Sequence, residues 1–168
     1  MIEEAEKTIV SALRENDTHV QRLQRAKGLL AEFFPLTVKS FTHLNDEHIE
    51  HIDQFIYRFT KLQDSMGTRL LPAIYVWLES DNRPRPFMDV LNRLEQLGVI
   101  DDVNLWQFFR NLRNNLAHDY PESIDQTVDT LNLLFAEIDT MLNMYIQVRS
   151  YWAGRSGALG GRSDNSQG

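Results

Sequence analysis

The chain has 168 residues, no cysteine and a formal net charge of −7. Its length supports one domain with its own core, burying ~70% of the unfolded chain's surface. The missing thiols exclude disulfides, thiolate zinc sites and cysteine nucleophiles, and the acidity argues against coating nucleic acid, which takes clustered Lys and Arg.

The acidic start, Met1-Ile-Glu-Glu-Ala-Glu-Lys7, lacks the apolar run of a signal peptide. No apolar run approaches the ~18 residues of a membrane span. A cytoplasmic chain with no membrane partner is expected.

Every periodic stretch reads as helix. Ile2, Ala5, Ile9, Leu13, Val20, Leu23, Ala26, Leu30 and Phe33 keep a three-four spacing that forms one apolar stripe. Asn16-Asp17-Thr18 interrupts it, so a kink is expected there, and Pro35 ends the segment. A second helix starts at Asn45 or Asp46 and carries Ile49, Ile52, Ile56, Phe59, Leu62, Met66, Leu70, Ala73 and Trp77 on its apolar side. Gly67 and Pro72 fall inside it and predict a bend or break.

Asp81-Asn82-Arg83-Pro84 is a loop by its turn chemistry. Pro86 opens a short helix through Val90, Leu91 and Leu94, closed by Gly98. A fourth helix runs from about Asp102 to His118 with Trp106, Phe109, Leu112 and Leu116 on its apolar side, limited by Pro121. The fifth has Ile124, Val128, Leu131, Phe135, Ile138, Leu142 and Tyr145 in steps of four and three, widened by Leu134, Met141 and Val148. Such breadth implies more than one neighbour. The expected fold is an all-α, up-and-down antiparallel bundle of four to five helices over residues 1–153. Residues 154–168, rich in Gly and Ser, read as a flexible tail.

Chemistry concentrates in 113–120. Arg113 and Tyr120 are seven residues apart and share a helical face, while His118 flanks it at ~140° from Arg113. An imidazole of ordinary pKa near ~6.5 can take the proton of an RNA 2′-hydroxyl or give one to the leaving 5′-oxygen. Arg113 can hold two phosphate oxygens through its planar fork, and Asn114 can orient the phosphate. This chemistry calls for no metal and no cofactor. One imidazole cannot serve as base and acid together, so a second copy across a dimer interface is an attractive supply. Taken alone, the spacing is weak. A histidine at a helix end interacting with the dipole, beside an arginine bridging to Asp119 or a carbonyl, explains it more often than catalysis does.

Arg113-Asn114-x-x-x-His118-x-Tyr120 resembles the arginine–histidine–tyrosine motif of the HEPN superfamily, specifically its HepT-like toxins. Phe59-Thr-Lys-Leu-Gln-Asp-Ser-Met-Gly67, Pro86-Phe-Met-Asp-Val-Leu-Asn-Arg-Leu94 and Leu112-Arg-Asn-Asn-Leu-Ala-His-Asp-Tyr120 are also similar to HepT-like sequences. The resemblance spans roughly residues 45–145. It implies a homodimeric, metal-independent endoribonuclease with Arg113 and His118 of both protomers lining a shared cleft. It also implies a small nucleotidyltransferase antitoxin that adenylylates Tyr120, setting phosphate beside Arg113 and His118 in competition with RNA. The RNA is left open between tRNA and mRNA. The sparse cations are a departure: 114–148 holds no Lys or Arg but does hold Asp119, Glu122, Asp125, Asp129, Glu137 and Asp139.

Asp64 is a candidate helper for Arg113 or His118, or else a surface partner of Lys61. Arg110 and Asp119 are further supporting candidates. Arg58 and Arg69 suit either phosphate guidance or a solvated face. His43, His48 and His51, near Asp46 and Glu47, read as a polar first turn rather than a metal site. Trp77, Trp106 and Trp152 read as packing residues. The alternatives to a nuclease are a non-catalytic HEPN module partnering a nucleotidyltransferase, and a helical adaptor with an accidental motif.

Overall fold

The computed structural model describes residues 1–117 and 123–160, the last three of these by backbone alone. All regular structure among them is helical. α1 spans Ile2–Leu30 and α2 Val38–Thr42. α3 spans Asp46–Ser65 and runs through a π-helical segment, Met66–Leu70, into α4, Leu71–Glu79. α5 is Phe87–Gln96, α6 Val103–Ala117 and α7 Ile124–Gly160.

Side-chain pairs fix the directions of the long rods. Between α1 and α3–α4 they run Glu6–Trp77, Glu15–Arg69 and His19–Arg58. Rising numbers on one rod meet falling numbers on the other. Lys27–Asp139 and Asp17–Arg149 make α7 antiparallel to α1. Asp64–Arg113 and the seating of Trp106 on Gly67 make α6 antiparallel to α3. The described helices thus form an up-and-down bundle, with α2 and α5 as short connectors.

Local chemistry sets the boundaries of these rods. Asn45 caps α3, its side-chain oxygen accepting from His48 N–H at 2.9 Å, and Asp46 and Glu47 favour the positive helix end. α5 closes with Gly98 at φ 77°, Val99 N–H donating to Leu94 O and Gly98 N–H to Glu95 O, a paired closure that a left-handed glycine permits. Glu95 also accepts from Val103 N–H at 2.7 Å, holding the start of α6.

Several expectations are corrected. α1 runs as one continuous helix through Asn16-Asp17-Thr18, where Asn16 is buried and Asp17 receives Tyr145 and Arg149 from α7. α1 also stops at Leu30, before Pro35. The unexpected α2 is made by a capping box in which Thr37 and Ser40 satisfy each other's backbone.

At Gly67 and Pro72, where the sequence predicts a bend or break, the regular α-helix is interrupted but the rod continues: one turn widens, Leu71 N–H reaches back to Met66 O, and Thr68 Oγ1 donates to Asp64 O at 2.7 Å. Gly67 lets Trp106 approach closely there: a Cβ would stand 3.0 Å from Trp106 Cζ2 and press on the ring. The change of composition at Gly154 does not end α7 either, which remains helical through Gly160. Backbone hydrogen bonds sustain a helix without burial once a packed stretch has nucleated it. Here Trp152 packs edge-on against Trp77 at 4.7 Å.

Trp106 is 1% exposed and lies in one core with Phe55, Phe59, Phe109, Leu134, Ile138 and Tyr145. Ile49 and Ile124, expected on apolar stripes, are exposed.

Candidate functional site

Arg113 lies near the end of α6, four residues before its last residue and seven after Trp106, therefore on the same face. Trp106 against Gly67, and Phe109 edge-on to Phe59 at 6.4 Å, set that face on α3. The register brings Arg113 to Asp64. Arg113 Nε donates to Asp64 Oδ1 and Nη2 to Oδ2, both at 3.1 Å. This fork-to-carboxylate match uses two of the five guanidinium N–H donors. The Arg113 side chain is 31% exposed, so its remaining donors are accessible. Hydrogen bonding to Asp64 raises the Arg113 pKa above its ordinary value and keeps it a cation.

Asp64 thus takes Arg113 rather than Lys61, whose ammonium lies 5.6 Å from the Tyr57 ring centroid. Asn114 and Arg110 are exposed on neighbouring positions of α6. His118, Asp119 and Tyr120 lie outside the described residues, one to three positions beyond the end of α6.

A cavity of 530 Å³ adjoins the end of α6. Asn115 and Leu116 line it together with Ile49, Ile52 and Asp53 of α3 and Ile124 of α7. Its apolar wall accounts for the two isoleucines left out of the core. Sequence periodicity assigned them to buried stripes because spacing reports a face, not what covers it.

The three histidines near the start of α3 go separate ways. His43 Nδ1 is 2.7 Å from Lys39 O, the His48 ring packs on Phe33, and His51 lies 3.8 Å from Glu47. Among the described residues, no group of three or more His, Asp or Glu is placed to hold a metal. No described helix is long and apolar enough to cross a membrane.

None of the family models, curated proteins or solved structures compared with the chain matches it. The HEPN-like reading therefore stands on the quoted residues.

Arg58 and Arg69 have different surroundings. Arg69 is consumed by Glu15 and by Ser11 Oγ at 3.0 Å. Arg58 instead sits 3.0 Å from His19 Nδ1 and lines a groove between α1 and α3 with Arg22, Arg25, His51 and Gln54. Sequence reading missed this groove. Arg22 and Arg25 are visible as helix neighbours at i and i+3, but nothing local shows that Arg58 faces them.

Proposed function

We propose that the chain is a HepT-like, metal-independent endoribonuclease, acting as a homodimeric toxin neutralised by a nucleotidyltransferase antitoxin. The observation that carries the reading is the oriented, accessible Arg113 fork on Asp64, five residues before His118. An arginine prepared in this way can meet a phosphate without first paying to order its own side chain.

The reaction forms a bond from the RNA 2′-oxygen to phosphorus and breaks the bond from phosphorus to the 5′-oxygen. It leaves a 2′,3′-cyclic phosphate and a 5′-hydroxyl. The imidazole of His118 accepts the 2′-hydroxyl proton, and the imidazolium of a second copy supplies the proton taken by the 5′-oxygen. Arg113 offsets the charge gathering on the phosphoryl oxygens. Asn114 orients the phosphate, and Asp64 positions Arg113. Adenylylation of Tyr120 by the antitoxin would fill the same space with an anion.

The test is induction of the wild-type chain and His118→Ala in bacteria, with cleavage of total RNA read by sequencing of 5′-hydroxyl ends. Growth arrest and new ends are expected from the wild type alone. Equal arrest by a folded His118→Ala chain sinks the reading. The same ion pair favours a second reading, in which Asp64 neutralises Arg113 and the chain is a non-catalytic HEPN module binding a nucleotidyltransferase. That module forms the complex yet cuts no RNA.

A further inference from the structure

In this acidic chain, half of the twelve described arginines are engaged by carboxylates. Arg69, Arg83, Arg85, Arg93, Arg113 and Arg149 each pair with a carboxylate. The groove between α1 and α3 differs. Its lining is Arg22, Arg25, Ala26, Leu29, His51, Gln54 and Arg58, with no Asp or Glu, around 390 Å³ of open volume.

Two matching ladders build it. Arg22, Arg25 and Leu29 stand at i, i+3 and i+7 of α1. His51, Gln54 and Arg58 stand at i, i+3 and i+7 of the antiparallel α3. Each ladder spans ~10 Å along its helix. Arg22 and Arg25 are exposed and form no ion pair with a described residue.

Arg58 is held without being neutralised. Its Nη1 meets His19 Nδ1 at 3.0 Å, and the other His19 nitrogen is 3.4 Å from Glu15 Oε1. Burial lowers the His19 pKa, against the opposing effect of the Glu15 hydrogen bond, so the ring is a neutral acceptor for Arg58. The Arg58 Nε is buried with no hydrogen-bond partner among the described residues, and its guanidinium, 5.3 Å from the Tyr57 ring centroid, lines the groove.

We infer that this groove binds the phosphodiester backbone of single-stranded RNA, with Arg22, Arg25 and Arg58 as phosphate ligands. The inference rests on the ribonuclease reading for its choice of polyanion. Guanidinium forks match phosphate oxygens in pairs. Arg58 precedes Asp64 by six residues on α3, about 9 Å along the axis and ~120° around it. A strand in the groove is thus carried around α3 toward Arg113. This supplies the affinity that the overall charge of −7 withholds.

The experiment measures binding of a fluorescein-labelled single-stranded 20-mer RNA by the full chain carrying Arg113→Ala, across a salt series. Adding Arg22→Gln and Arg25→Gln should weaken binding at least about tenfold and flatten the slope of log affinity against log salt by about 1.4, at ~0.7 per phosphate. Arg14→Gln with Arg155→Gln removes the same charge elsewhere and should leave binding nearly intact. Equal loss in both double variants, no loss in either, or no RNA binding by the parent overturns the inference. So does unchanged RNA affinity with lost binding of a polyglutamate peptide.

Circular dichroism checks each fold. If the double variant is not helical, Arg22→Gln alone must give half the slope change. Cleavage is scored separately in chains with Arg113 intact. Lost cleavage with groove binding retained removes only the nuclease reading. Cleavage undiminished at every RNA concentration in Arg22→Gln/Arg25→Gln removes only the groove.

Discussion

The bundle contains the same ion-pair geometry twice. Arg149 meets Asp17 through Nε–Oδ1 and Nη2–Oδ2, both at 3.1 Å, and Arg113 meets Asp64 through the same atoms at the same distances. What differs is the surroundings. Asp17 also accepts the Tyr145 hydroxyl at 2.6 Å, and the Leu13 carbonyl lies 3.1 Å from that oxygen. Burial, then the bond to Asp17, pushes the Tyr145 phenol well above its ordinary range. That cluster is a clamp joining α1 to α7. The Asp64 pair has no such third member among the described residues and stands where α6 ends, beside Asn114 and just ahead of His118. Identical distances therefore occur in different surroundings, and on the proposed function those neighbours set different roles.

The sharpest way to break this contrast is to remove each arginine in turn. Arg113→Ala should reduce RNA cleavage about 10²–10³-fold while thermal stability barely moves, because a pair this exposed is worth ~0–1 kcal/mol. Arg149→Ala should leave cleavage unchanged. Equal cleavage by the two variants in a gel assay dissolves the distinction.

Asp64→Ala comes next. The fork loses its anchor but not its charge, so cleavage should fall about tenfold, as expected of a misplaced rather than missing donor. Asp64→Asn, which keeps one acceptor oxygen, should recover part of the rate. Failure of Asn to do better than Ala would count against positioning.

Tyr145→Phe probes the other cluster. It should cost about 1.5 kcal/mol, the value of a hydrogen bond to a charged acceptor, seen as a Tm drop with cleavage retained. Gly67→Ala follows. The added methyl presses on a Trp106 held in turn by Phe87 at 5.9 Å. An overpacking cost of about 1–3 kcal/mol outweighs the helix gain of about 0.5–1 kcal/mol. A net loss near 1 kcal/mol should appear in chemical denaturation, and a stabilised variant would show that Trp106 yields.

The smallest effect concerns acid. The folded His19 resists protonation, whereas the unfolded imidazole titrates near its ordinary value of about 6.5. The unfolded chain therefore binds more protons in acid, and this part of the stability is whole above that value and fades as pH falls below it. Going from pH 7.5 to 5.5 should lower Tm by on the order of 2 °C more in the wild type than in His19→Gln. Parallel Tm profiles would show that another group controls the acid limb.

Much of the fold was legible in the sequence because helices are local. The Asn45 start, the Gly98 stop and the stripes of α6 and α7 follow from a period of 3.6 and from capping chemistry within a few residues. The misreadings arose where a residue's role was tertiary. Asn16-Asp17-Thr18 looked like an interruption because the partners of Asp17 on α7 are more than a hundred residues away. Gly67 and Pro72 signalled a bend or break, and only the approach of Trp106 shows why the irregularity there is a widened turn.

The candidate site divides along the same line. Sequence by itself determined an all-helical chain and set Arg113, Asn114 and Arg110 on the last turns of one helix, since both depend on neighbours a few residues away. Only the tertiary structure decided that Arg113 meets Asp64 and not Lys61, and that Arg58 joins Arg22 and Arg25 while Arg69 is lost to Glu15. Those choices depend on how far one rod slides and turns against another. That setting comes from interlocked side chains such as Trp106 on Gly67, and no short stretch of the chain contains both halves of the lock.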